Sequence, residues 1–156
     1  MDALMPIDLP QIQRIVRLLE AHGVVTWLCG GWAEELHGPI APRSHQDIDL
    51  LYRAADFELV DRFLKQRADE EIVAKRFSHK RAFVVEGVMT ELILVRPDLT
   101  TLFWDEHEFA WPADVFAAED SYIRLASVAA LAAYRRADHH LHRSSACQQD
   151  NALGGR

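Results

Sequence analysis

The chain has 156 residues, 49% of them hydrophobic and 26% charged, the balance of an ordinary folded domain rather than a disordered or fibrous chain. Twenty-four acids against 17 bases give a formal net charge of −7, a field that repels nucleic-acid backbones and favours metal ions or cationic partners. No apolar run approaches the roughly 18–20 residues of a membrane span, and the N-terminus lacks the basic start and apolar core of a signal peptide. A cytoplasmic protein is expected, with no membrane or nucleic-acid partner. The two cysteines, Cys29 and Cys147, form no CxxC motif, which argues against disulfides and a structural zinc.

Asp8 and Pro10 open a helix whose apolar face is Ile12, Ile15, Val16 and Leu19, and Gly23 closes it. Val24 to Cys29 is β-branched and aromatic and reads as a buried strand, broken by Gly30-Gly31. Trp32 to His37 reads as a short helix, Gly38 to Pro42 as a loop, and Ile48 to Tyr52 as a second strand. Asp56 caps a helix that presents Phe57, Val60, Phe63 and Leu64. Glu71 to Lys75 reads as a strand, and Arg81 to Glu86 with Val88 to Val95 as a hairpin around Gly87. Pro97 to Ile123 has no clean period. Ser127 caps an alanine-rich helix running to about Asp138. The expected class is therefore α+β, a mixed β-sheet flanked by helices. One domain over residues 1–138 is expected, with its core at about 8–96, a C-terminal helix at about 127–138 and a flexible tail over 139–156.

Three acids stand out. Asp47 and Asp49 are i and i+2 on a strand and so project from one face, while Ile48 and Leu50 point to the other. Carboxylates held side by side repel, and a shared cation is the usual relief. Magnesium takes oxygen ligands, commonly one or two carboxylates together with substrate phosphates. Glu91 lies in the otherwise apolar run Val88 to Val95, where a charge is costly unless it is paired or holds metal. It either joins the two aspartates or pairs with Lys80, Arg81 or Arg96. The glycine pair Gly30-Gly31, at a strand-to-helix turn, lets backbone N–H groups approach an anion.

Gly-Gly-Trp-Ala followed by Arg-x-His-x-Asp-Ile-Asp-Leu resembles the signature of the antibiotic nucleotidyltransferases. These form the aminoglycoside 2″-adenylyltransferase and lincosamide adenylyltransferase branch of the polymerase-β-like superfamily. The resemblance is specific over Val24 to Tyr52 and looser through Glu91. It implies a nucleotidyltransferase fold and Mg2+-dependent transfer of a nucleoside monophosphate, AMP from ATP, to a hydroxyl of a small molecule, an aminoglycoside or lincosamide. It assigns Gly30 and Gly31 to the triphosphate, Asp47 and Asp49 to the metal, and Arg43 and His45 to the phosphates. Glu91 falls at the third carboxylate, as metal ligand or as base for the acceptor hydroxyl. The family position often holds aspartate, so here the carboxyl reaches one methylene further. A homodimer with a shared pocket, and acids such as Asp105, Glu106, Glu108 and Asp114 lining a pocket for a cationic drug, are further expectations. A non-catalytic, antitoxin-like relative is the competing reading.

Overall fold

The computed structural model describes residues 7–38, 47–67, 70–119 and 123–137. Helix α1, Leu9–Ala21, begins with a reciprocal cap: Asp8 Oδ1 accepts from the Gln11 amide and Gln11 Oε1 from the Asp8 amide, each at 2.9 Å. Its buried face is Ile12, Ile15, Val16 and Leu19. Strand β1, Thr26–Cys29, runs without a gap into α2, Gly30–His37. Strand β2, Asp47–Arg53, is followed by α3, Glu58–Lys65. Asp56 assists the start of α3 by accepting the Glu58 amide at 2.9 Å, although Phe57 holds the cap position.

Strands β3, Lys80–Val85, and β4, Val88–Val95, form the expected hairpin. Its two turn residues, Glu86 and Gly87, both have positive φ, 51° and 74°, as a two-residue turn of matching twist requires. The segment read as a strand over Glu71 to Lys75 is different. Glu71 makes an isolated bridge to Phe83, and Val73–Lys75 is a 3-10 turn. Only one end of this segment meets the edge of β3, and Val73 is 69% exposed, so no second face holds it extended. Beyond Pro97 come β5, Thr100–Phe103, paired with β6, His107–Ala110, and then β7, Ala118–Glu119, paired with β8, Arg124–Leu125. A last helix, α4, covers residues 128–137. Ser127 caps it, its Oγ accepting the Ala130 amide at 3.0 Å.

The main sheet has the order β3-β4-β2-β1-β8-β7 and is mixed. Strand β2 lies at its centre, antiparallel to β1 and parallel to β4. Register therefore decides which residues meet. Ala82, Glu91, Asp49 and Cys29 form one row across β3, β4, β2 and β1, and Arg81, Leu92, Leu50 and Leu28 form the next. Ile48 and Leu50 are buried in the core. On their face Phe63 of α3 meets Phe83 edge-on at 5.7 Å, and His22 at the end of α1 meets Phe63 at 4.9 Å. A second aromatic group joins the β5–β6 hairpin to α4, with Trp111 stacked on Tyr134 at 5.5 Å. Trp111 Nε1 donates to Thr101 Oγ1, which itself donates to the Leu94 carbonyl on β4.

Phe83 is fully buried beneath the sheet that carries the acids. Phe83→Ala should lower unfolding free energy by about 3–5 kcal/mol, read as a shift in urea midpoint at unchanged slope.

Candidate active site

The sequence places two acids on β2, and the fold adds the third. Asp49 and Glu91 are direct partners across the parallel β2–β4 pair, and Asp47 lies one row of side chains away on the same face. One oxygen from each of Asp47, Asp49 and Glu91 lies within 4.8 Å of the others. Asp47 is exposed, Asp49 partly buried, and Glu91 only 8% exposed, so the cluster opens toward solvent at Asp47. Around one octahedral magnesium, with oxygens at about 2.1 Å, neighbouring ligand oxygens lie about 3 Å apart. An all-oxygen donor set of three carboxyl groups suits a hard divalent ion.

Electrostatics sharpens the picture. Burial, then the charges of Asp47 and Glu91, push the Asp49 carboxyl up to about 8, and Glu91 shares a hydrogen bond with it. Burial also works to raise Glu91, but Lys75 and Lys80 outweigh it and hold Glu91 below the usual carboxylate range. Lys75 Nζ donates to Oε1 at 2.8 Å and Lys80 Nζ meets Oε2 at 3.1 Å. The bond to Glu91 is the main cause of a raised Lys75 pKa, opposed by some burial and helped by the charges of Glu91, Asp47 and Asp49. Of the basic partners considered for Glu91, Lys80 is therefore real. Arg81 instead forks onto Asp61 at 2.7 and 3.1 Å, and Arg96 pairs with Glu108 at 2.6 Å. Lys75 had no signal in the sequence beyond its charge, because it sits on the 3-10 turn, 16 residues from its partner.

Gly30 has a specific reason to be glycine. Its φ is +69°, and an added Cβ would stand 2.6 Å from Asp49 Oδ2. The backbone at the start of α2 thus lies directly against the acid cluster. Gly31 is the second residue of that helix, where amide groups and the helix field point outward toward the N-terminal end. Arg43 and His45 lie outside the described residues. Of the other acids, Asp105 accepts from Ser78, Glu108 is tied to Arg96, and Asp114 accepts from Ser127. These contacts give each a structural partner. Among the described residues no helix is long and apolar enough to cross a membrane.

The fold is similar to that of solved nucleotidyltransferases. The lincosamide antibiotic adenylyltransferase LnuA, solved with lincomycin, superposes with a TM-score of 0.64 at 19% identity, over 82% of this chain and 85% of that one. ANT(2'')-Ia, solved with adenylyl-2''-tobramycin, gives 0.55 at 16% identity, over 83% and 76%. A candidate nucleotidyltransferase from Thermotoga maritima gives 0.52 at 17% identity, over 99% and 100%. The architecture is accordingly an α+β nucleotidyltransferase fold. No curated protein sequence matches the chain. The family model of aminoglycoside-2''-adenylyltransferase, however, matches residues 11–151, and the chain belongs to that family of nucleotidyltransferase enzymes.

Two outcomes follow from the geometry. Gly30→Ala should cost about 1–3 kcal/mol and disturb Asp49, whereas Gly38→Ala, whose added Cβ would meet nothing closer than 3.9 Å, should melt like the parent. The second concerns pH. Asp49 is raised from 3.8 to about 8, so its contribution to stability is full below pH 4 and is lost as pH rises through 8. In metal-free buffer, Asp49→Asn should therefore melt above the parent at pH 8.5, by about 3 °C or more, with the gap closing toward pH 4. A gap that stays constant across that range would contradict the assigned shift.

Proposed function

We propose that this chain is a magnesium-dependent adenylyltransferase that moves AMP from ATP onto a hydroxyl of a small molecule, an aminoglycoside before a lincosamide. The observation that carries the reading is the convergence of Asp47, Asp49 and Glu91 from two adjacent strands onto one open face. A raised carboxyl such as Asp49 is a group waiting for a cation, since a divalent ion returns it to the ionised form. Asp47 and Asp49 would hold the ion, with Glu91 completing the set. When bound, magnesium would supply positive charge to offset the negative charge building up on the departing pyrophosphate.

The chain's own groups do the rest. Gly30 and Gly31 would bring amide N–H groups to the triphosphate, with Arg43 and His45 beside it as the family resemblance implies. The acceptor oxygen attacks the α-phosphorus, the bond from that phosphorus to the bridging oxygen of pyrophosphate breaks, and the hydroxyl proton leaves to a cluster carboxylate. Both oxygens of Glu91 are already held by lysine ammonium groups, which makes it a poor acceptor for the hydroxyl proton. We therefore assign it to the metal rather than to proton removal. Catalysis of this kind rests on positioning and charge neutralisation and needs no covalent enzyme intermediate. The net charge of −7 supports a cationic acceptor, and residues 1–138 would form the catalytic unit. Retention of all three acids, in register and within reach of one ion, favours an active enzyme over an antitoxin-like relative.

The test is incubation with magnesium, each nucleoside triphosphate in turn and a panel of aminoglycosides and lincosamides, with mass spectrometry for nucleotide adducts. An adenylylated aminoglycoside is expected, lost on chelation. Asp47→Asn should cut the rate by about a hundredfold or more with the melting temperature kept. Undiminished adduct formation in that variant, or in excess chelator, would remove the site from the mechanism.

A further inference from the structure

We propose that Lys75 is an exchangeable cation of the active site: it neutralises Glu91 until a divalent ion takes that oxygen, and is then released to pair with the nucleotide's phosphates. The inference rests on the adenylyltransferase reading and adds to it a phosphate-binding residue and an order of ligand exchange.

Glu91 is already neutralised as it stands. Oε1 is 2.8 Å from Lys75 Nζ and Oε2 is 3.1 Å from Lys80 Nζ, so each oxygen already has a cationic partner. One ammonium must give way if Glu91 is to join Asp47 and Asp49 around an ion, because like charges at ligand distance repel strongly. The two lysines are not equivalent. Lys80 belongs to strand β3, is paired with Ile93 of β4, and has a side chain 19% exposed. Lys75 sits at the end of the 3-10 turn Val73–Lys75, a segment tied to the sheet only through its flanks, and its side chain is 40% exposed. The freer group is the one that can move.

Its destination follows from charge. With Asp49 protonated, two carboxylates and two ammonium groups leave the site formally neutral before the first cation enters. Once a divalent ion has replaced Lys75 on Glu91, the surroundings turn cationic and Lys75 has no carboxylate of the cluster to itself. A triphosphate brought to the ion supplies several anionic oxygens within reach of a long, flexible side chain, and a lysine binds such oxygens as a point charge.

The experiment is a pair of titrations on the full chain. Mn2+ alone is titrated by water-proton relaxation, and a non-hydrolysable ATP analogue is then titrated by calorimetry in saturating Mg2+. Lys75→Met should bind Mn2+ alone about three- to tenfold more tightly, since the competitor is gone. It should bind the analogue about tenfold more weakly, since a phosphate contact is gone. Lys75→Arg, which keeps the charge and guards against a folding artefact, should stay within about threefold of the parent in both. Equal Mn2+ affinity in Lys75→Met and parent overturns the exchange, and so does tighter Mn2+ with unchanged analogue binding. Absence of Mn2+ binding by the parent itself, with Asp47→Asn indistinguishable from it, would instead overturn the metal site on which both readings stand.

Discussion

Repulsion among three carboxylates on neighbouring strands is the constraint around which the rest of this protein is arranged. Asp49 and Glu91 meet because β2 and β4 pair in parallel with those two residues opposite one another, and a slip of either strand by one residue would turn its own acid into the core. What prevents the slip is the other face. Ile48, Leu50 and Leu92 are fully buried there, and burying such side chains is worth about 1.5–3 kcal/mol each. The hydrophobic face therefore fixes the register, and the register brings together charges that would otherwise separate.

The same constraint explains the turn at the end of β1. Cys29 is the register partner of Asp49, so the next residue comes up against the Asp49 carboxylate. Only a residue without a side chain fits at 2.6 Å from an oxygen and at a φ of +69°. Gly30 thus does two things at once: it starts α2 at the site, and it leaves the carboxylate undisturbed. One residue joins a local backbone requirement to the packing of the site.

Much of this was legible in the sequence, and the rest was hidden for physical reasons. The spacing of Asp47 and Asp49 within an apolar strand reveals a shared face because strand side chains alternate with period two. Glu91 was visible as a charge in a run too apolar to leave it unpaired. Which of its alternatives held depended on strand order, and no local pattern encodes that order. The β5–β6 hairpin was missed because its turn uses Trp104 and Asp105 at φ of 59° and 58°, with no glycine or asparagine to mark it. Tertiary contacts stabilise that backbone: Trp104 packs on Phe77 at 4.4 Å, and its amide donates to His79 Nδ1 at 3.2 Å. Burial, then the nearby Lys80 charge, lowers the His79 pKa to about 4, which keeps the ring neutral and its nitrogen free to accept.

Lys75 and Lys80 answer a problem that any cluster of carboxylates meets when no metal is bound. A cluster of three ionised acids opposes the packing that creates it, and the chain must fold around that cluster. Two remedies operate side by side. Asp49 holds its proton to about pH 8, and Glu91 is neutralised by ammonium groups instead. Neighbouring acids in one row of one sheet thus take opposite routes, because one faces Gly30 and two other carboxylates while the other faces Lys80 of β3 and Lys75 of the adjoining 3-10 turn. On the proposed reading a divalent ion would displace both a proton and a lysine, and the two would not leave alike. The proton would be lost to solvent, whereas the lysine would stay tethered beside the site, where a phosphate would next be needed.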